Sequence, residues 1–344
     1  MRGSSSMAKS RPQLSRKDYT IGWICAIMEE FAAASTMLDC RHIVPPQHRT
    51  DENSYILGNI GSHNIVMACL PAGRYGMDAA ASVATQMLSA YTEIRFGLMV
   101  GIGGGVPSNR DNQLPVTRDI RLGDVVVSVP EPENESSGVV RLSGFGAHYT
   151  QTGSLNKPPA ILLTAVSELK ATHLTSGSQI SEFVENMGRN YPRMKEKFRY
   201  HGHESDQLFE ANYDHADARP GNCYSVCENS KLVSREKRPN PEEPHIHYGL
   251  VASGNCMIAH GRTRDRLAKE YGTICFEMEA AGLMDHFQGL VFRGISNYAD
   301  THKNDQWQEY AAATAAAYAK ELILSISPRE IEQTITAQGV MGLR

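Results

Sequence analysis

The stretch from Thr273 to Asp300, TICFEMEAAGLMDHFQGLVFRGISNYAD, constrains this chain more than any other. A short apolar strand, Ile274–Phe276, runs into two carboxylates, Glu277 and Glu279, with Met278 between them. A small-residue helix is expected over Ala280–Phe287. A second apolar strand, Leu290–Ile295, then delivers Ser296, Asn297 and Asp300. Two strand ends joined by one helix thus both present polar side chains. In α/β sheets ligands bind outside the carboxyl ends of strands, so this stretch reads as the floor of an active site.

The rest of the chain supplies further strand ends. Tyr19–Ala26 reads as a buried strand that enters the helix IMEEFAAASTML, whose Glu29 and Glu30 complement the helix dipole whatever else they do. Ser54–Asn59 and Asn64–Leu70 alternate around GSHN as a hairpin. Met77–Tyr91 reads as a small-residue amphipathic helix. Ile94–Val100 is an apolar strand, and Gly101–Gly105 reads as a glycine loop after it, with N–H groups open to a ligand. It lacks the Lys-Ser/Thr of a P-loop and the following helix of a dinucleotide fingerprint. Further strands are expected in LGDVVVSVP, at Val139–Ser143 and at Tyr248–Ser253. Further helices are expected at Pro158–His173, Ile180–Arg189, Arg262–Tyr271 and, rich in alanine, Asn304–Ile326. This alternation, with no internal repeat, predicts an α/β domain over 18–327 with helices on both faces of a mixed sheet.

Composition narrows the function classes. Of 344 residues, 41% are hydrophobic and 21% charged, as in globular proteins. The net charge of −4 with no basic stripe points away from nucleic acid and from an anionic membrane surface. No apolar run approaches the roughly 20 residues that span a bilayer. Seven scattered cysteines, three of them (Cys25, Cys69, Cys275) in strand-like runs, fit a reduced, cytoplasmic protein. Residues 1–17, with a second Met at Met7, read as a disordered vector leader, and 328–344 as a tail or linker.

From about Tyr200 to His245 the composition shifts to His, Asp, Pro and Asn. This reads as a long polar insertion (200–246), functional or partly disordered. It holds Cys223 and Cys227 with His201, His203, His215 and His245, and His247 follows. A zinc site is conceivable, but the spacing fits no standard structural pattern. A surface loop is the better reading, and no metal and no cofactor are expected.

Taken in order, GWICAIMEE, VGIGGGVP, LGDVVVSVPE, ASGN, FEMEAAGLM and RGISNYAD resemble the nucleoside phosphorylase/nucleosidase superfamily. The resemblance is to the branch of methylthioadenosine/S-adenosylhomocysteine nucleosidase and purine nucleoside phosphorylase. MEAAG and AAATAAAYAKELIL look most like fungal members, which often front longer receptor-like proteins. The resemblance implies a three-layer αβα sandwich around a twisted mixed β-sheet. It implies cleavage of a purine nucleoside's N-glycosidic bond, through a transition state with a cationic ribose and an anionic base. It also implies a homodimer or higher homo-oligomer. By residue, it makes Glu279 the group that binds ribose hydroxyls, beside Glu277, with Met278 packed on the sugar. Glu30 would position the attacking water, and Gly101, Ile102 and Gly103 would lie beside the sugar and nucleophile. Cys256, Met257 and Ile258 would wall the purine, and Ser296 and Asn297 would face the base.

Two departures from the family pattern bear on the reaction. In the phosphorylases an arginine and a serine grip phosphate where this chain has Met99 and Ile102. A buried phosphate needs charge-assisted donors, so their loss favours water and a purine nucleosidase. Arg74 is the nearby cation that could restore a phosphorylase. The second departure is Asn297, which stands where the nucleosidases usually have an Asp that protonates the purine. An amide donates a hydrogen bond but no proton. It is consistent with an engineered change, with a natural preference for 6-oxopurines, or with a nucleoside-sensing module of a receptor-like protein.

Overall fold

A computed structural model describes residues 11–108, 119–130, 137–145, 148–215, 223–284 and 288–342. In chain order they form β1 (Ile21–Cys25), α1 (Met28–Thr36), β2 (Cys40–Arg41), β3 (Tyr55–Ile60), β4 (His63–Cys69) and α2 (Met77–Ala90). Then follow β5 (Phe96–Gly105), β6 (Val125–Ser128), β7 (Val139–Phe145), β8 (His148–Ser154), α3 (Ala160–Ser176), α4 (Ile180–Asn190) and α5 (Cys223–Val226). The chain closes with β9 (Ile246–Gly254), α6 (Gly261–Tyr271), β10 (Thr273–Glu277), α7 (Ala280–Met284), β11 (Gly289–Asn297), α8 (Gln308–Ser325), α9 (Pro328–Gln333) and α10 (Ala337–Gly342). The helix expected over Ala280–Phe287 is present to Met284, and residues 285–287 lie outside the described residues.

The α/β class holds, with a mixed eleven-stranded sheet. It is not a plain open layer. β5 pairs parallel with β11, β11 antiparallel with β6, β6 parallel with β9, and β9 parallel with β10. β10 then returns antiparallel to β5, which closes a ring. β1, β4, β3 and β2 extend from β5 as one arm, and β7 and β8 extend from β9 as the other. Alternate residues of the central strands face two cores. Ile21, Trp23, Phe96, Leu98 and Phe292 pack with α1, α3 and the alanines of α8. Ile24, Met99 and Val291 pack with α2 and α7. Helices therefore cover both faces, and β1 is buried at every residue.

The glycines expected as a loop are instead the second half of β5. Gly104 pairs with Phe276 of β10 and with Asn297 of β11, so two strands converge on it. A Cβ on Gly103 would lie 2.7 Å from Cys275 Sγ, and one on Gly105 would lie 2.8 Å from Ile295 Cγ2. No residue of Gly101–Gly105 has a positive φ. The constraint there is space between strands, not a turn, and small residues let the ring close.

The insertion and both termini are tied down where they are described. Arg238 grips Asp124 through two bonds of 2.6 and 2.7 Å, and Arg235 meets Asp206 at 2.8 Å. Leu208 and Phe209 are buried. Residues 11–17, expected to be disordered, pack on the body: Pro12 O accepts from Ile43 N at 2.8 Å, and Arg16 donates to Pro46 O at 2.6 Å. The leader's residues 1–10 lie outside the described residues. The expected tail folds as α9 and α10, with Ile331 and Ala337 buried and Ala337 N bonded to Ile94 O at 2.8 Å. Among the described residues no helix is long and apolar enough to cross a membrane.

The ring makes a stability prediction. Gly103→Ala forces apart β5 and β10 and should lower the unfolding free energy by about 1–3 kcal/mol. Gly153→Ala on β8, with nothing within 4 Å of the new methyl, should stay within about 0.5 kcal/mol of the parent. Urea titrations that show equal midpoints for the two variants would contradict this account of the glycines.

Candidate active site

The ends of β1, β5, β10 and β11 meet at one cavity of about 690 Å³. Its floor carries Glu30, Ile102, Gly103, Glu277, Met278 and Glu279, and one wall carries Ser296 and Asn297. Met257 and Ile258 line the opposite side. The structure thus brings together ten of the twelve residues expected in the site. Gly101 does not line the cavity; it lies beneath, where a Cβ would sit 2.4 Å from Glu30 Oε1 and 2.6 Å from Arg293 Nη1. Cys256 is half-buried just before the lining pair and is not in the lining. Sequence reasoning missed Phe31, Tyr75, Phe276 and Lys303, which also line it.

Glu30 is only 3% exposed and its carboxylate is fully engaged by backbone donors. Oε2 accepts from Ala26 N at 2.6 Å and Ile27 N at 3.2 Å, and Oε1 accepts from Ile102 N at 2.8 Å. The helix start that favours an acid here on dipole grounds also aims it across to β5. Burial raises its pKa, against the opposing pull of Arg293 and the three N–H bonds. The Ile102 N–H, a natural donor for an anion, already serves this carboxylate.

Arg293 organises the floor from below. It is fully buried on β11, paired with Glu277 and 3.6 Å from Glu279, and it donates to Ile102 O at 3.3 Å. Burial alone would lower its pKa, but Glu277, Glu279 and Glu30 outweigh that and raise it. Sequence reasoning took Leu290–Ile295 as apolar and passed over this residue. The signal was a lone arginine inside a buried strand, a residue type rarely fully buried unless paired. Glu277 Oε2 also accepts from Glu279 N at 3.0 Å and Ala280 N at 2.9 Å, which sets the turn into α7. Its Oε1 is buried without a protein partner.

Glu279 faces the cavity with less support. Met278 N reaches its Oε2 at 3.4 Å. Its pKa is pushed up to about 7 by burial, with Arg293 opposing and the charges of Glu277 and Glu30 adding. On the neighbouring wall, Asn297 Oδ1 accepts from Ala299 N at 2.9 Å and its amide donates to Ser296 Oγ at 3.1 Å. Ala299 holds φ 51°, a left-handed conformation uncommon for a residue with a side chain. This turns the chain sharply and directs Asp300 away to Arg264, 3.7 Å distant. Met99 is buried in the core and Arg74 is exposed outside the lining. Lys303 lines the cavity and pairs with Asp305 at 3.3 Å.

No family model matches the sequence. It is 44% identical over 337 residues to a nucleotide-binding leucine-rich repeat (NLR)-like protein of Hyaloscypha variabilis, covering 96% of this chain. The chain spans about a third of that relative's length, 32%. Among solved structures it is similar to futalosine hydrolase of Helicobacter pylori, with TM-score 0.54, 15% identity and coverage of 91% of this chain and 100% of that one. It is also similar to the 5′-methylthioadenosine/S-adenosylhomocysteine nucleosidase of H. pylori, with TM-score 0.54, 14% identity and coverage of 90% and 99%. An Asp-to-Asn mutant of that enzyme with 5′-methylthioadenosine in its active site matches at TM-score 0.52, 14% identity and the same coverage, 90% and 99%. The chain has the fold of the nucleoside phosphorylase/nucleosidase superfamily.

The shifted carboxylate yields a test of the floor's electrostatics. A carboxyl whose folded pKa lies above its ordinary value favours the fold in its acid form. That contribution is complete below the ordinary carboxylate range and is lost as pH rises to about 7. Glu279→Gln removes the ionised form, so it should gain about 1–3 kcal/mol over the parent at about pH 8 and little at about pH 4. Thermal melts at both pH values that show the same difference would contradict the shift.

Proposed function

We propose that this chain is a purine nucleosidase that hydrolyses the N-glycosidic bond of a purine nucleoside to free base and ribose. The observation that carries the reading is the convergence of Glu30, Glu279 and Asn297 on one cavity whose floor, among the described residues, offers no cation that is not already paired with a carboxylate. The buried guanidinium of Arg293 is already matched by carboxylates, and Ile102 N–H is taken by Glu30. The similar solved structures that are N-ribosyl hydrolases add to this.

In this reading the ribose rests on Met278 with its hydroxyls donating to Glu279, while Glu277 holds Arg293 and the turn beneath it. A water held by Glu30 attacks C1′ as the C1′–N bond breaks, and Glu30 takes the water's proton. The carboxylates face the cationic sugar of the transition state. The purine lies between Asn297 and the Met257–Ile258 wall. The departing nitrogen anion accepts a hydrogen bond from the Asn297 amide and takes its proton from solvent. Phe276 adds apolar surface beside the sugar and base.

The same reading includes one catalytic domain over 18–327, at work in the cytoplasm as a homo-oligomer. Met28, Tyr75 and Met257 are 72, 58 and 52% exposed around the cavity mouth, an apolar rim suited to cover by a second subunit. A second reading, a nucleoside-sensing module of a receptor-like protein, is favoured by the NLR-like relative and by Asn297. That an Asp-to-Asn mutant of the similar nucleosidase holds 5′-methylthioadenosine in its active site is consistent with this second reading.

Adenosine, inosine, guanosine and 5′-methylthioadenosine, each with and without phosphate, should release base and ribose at rates independent of phosphate. Asn297→Asp should raise turnover by about 10²-fold or more, and Glu30→Gln should lower it by about 10²–10⁴-fold. Ribose 1-phosphate as product would move the assignment to a phosphorylase. Tight nucleoside binding with no turnover in either the parent or the Asn297→Asp protein would favour the sensing module.

A further inference from the structure

The second chemistry-bearing cluster lies in the polar insertion. The ligand atoms of His215, Cys223 and Cys227 all lie within 4.8 Å of one another. The turn after β11 brings a fourth group: His302 Nδ1 stands 3.5 Å from Cys227 Sγ and 3.8 Å from Cys223 Sγ. We propose that Cys223, Cys227, His215 and His302 form a structural zinc site that clamps the insertion to the strand end carrying Asn297.

The geometry of His302 supports a metal over a chance contact. Its Nε2 lies 2.8 Å from Tyr213 O. A carbonyl only accepts, so Nε2 carries the proton and the Nδ1 lone pair points at the two sulfurs. A hydrogen-bonded second nitrogen is the usual support of a metal-bound imidazole. Cys223 Sγ also lies 3.8 Å from His302 O, and one cation placed among the two sulfurs and the nitrogen would be ligated by all three. Tetrahedral zinc, with Zn–S about 2.3 Å and Zn–N about 2.0 Å, sets S···N edges at roughly 3.6 Å. The distances of 3.5 and 3.8 Å bracket that value.

The surroundings suit a closed structural site and not a catalytic one. Cys223 and His302 are 5 and 7% exposed. Phe209 stacks on the His302 ring at 4.1 Å between centroids, and Tyr213 follows at 5.4 Å. Two thiolates and two imidazoles neutralise and select zinc. His215 N donates to Thr301 Oγ1 at 2.8 Å, so both sides of the site are already joined by backbone. Neither Cys223 nor Cys227 is in a disulfide, as ligation needs. The sequence hid the set because His302 lies 75 residues beyond Cys227, outside the segment in which a cluster was sought.

Elemental analysis of the protein purified without chelator should find one zinc per chain. Protein refilled with cobalt(II) should show the intense visible bands of a tetrahedral ion and a thiolate-to-metal charge-transfer band. A Cys223→Ser, Cys227→Ser double variant should hold at least about tenfold less metal and lose the charge-transfer band. His302→Gln gives a milder variant should that protein fail to fold, and it should weaken zinc retention by at least about tenfold. Chelation should lower the melting temperature of the parent, with recovery on adding zinc. Metal-free parent protein that gives no charge-transfer band overturns the proposal. So does metal retained by the double variant, or an intact mass that shows a Cys223–Cys227 disulfide in the native chain. These readouts need no substrate, so they stand apart from the outcome of the hydrolysis assays.

Discussion

A buried guanidinium must be matched by negative charge, and in this protein that requirement sets the floor of the cavity. Arg293 reaches Glu277 and Glu279 directly, and its field extends to Glu30. Three carboxylates from two different chain segments are thereby held at one cavity, which without the cation would be a costly cluster of like charge. The match is incomplete: three acids face one base, so burial raises Glu30 and pushes Glu279 up to about 7. The same arrangement commits Arg293 to carboxylates and Ile102 N–H to Glu30.

The ring of strands is what allows this. β5 must receive β11 on one side and β10 on the other within its last residues. Only glycine leaves room for both, and Gly101 additionally leaves room for Glu30 and Arg293. The insertion then buttresses the Asn297 wall from outside the cavity. Asp206 accepts from Tyr298 and pairs with Arg235, while Asp124, held well below the usual carboxylate range by Arg238 and His247 despite its burial, anchors the far end. The chain on both sides of Asn297 is fixed by these contacts and by the turn at Ala299. The placement of Asn297 therefore depends on residues that never line the cavity.

Local pattern made much of this legible. Period-two and apolar runs located β1, β3, β4, β6, β7, β9, β10 and β11 within a few residues, because each is buried on at least one face. The β8 strand was missed: HYTQTGS is polar and sits at the end of an arm, where pairing and not burial holds it. Gly101–Gly105 was read as a loop because glycine in isolation argues for a turn. Its strand conformation follows from neighbours some 170 to 190 residues away in the chain. The termini looked like leader and tail because their apolar residues are few, yet Ile331 and Ala337 find burial against the body.

The sequence by itself determined the α/β alternation and the strand ends that carry Glu30, Glu279 and Asn297. These are local facts of residue type and periodicity. Tertiary structure alone decided that the sheet closes, that Arg293 lies under three acids, and that His302 faces Cys223 and Cys227. Each of those depends on side chains far apart in sequence meeting in a low-dielectric interior, where charge balance and close packing act together. No window along the chain contains both partners, so no local pattern could show them.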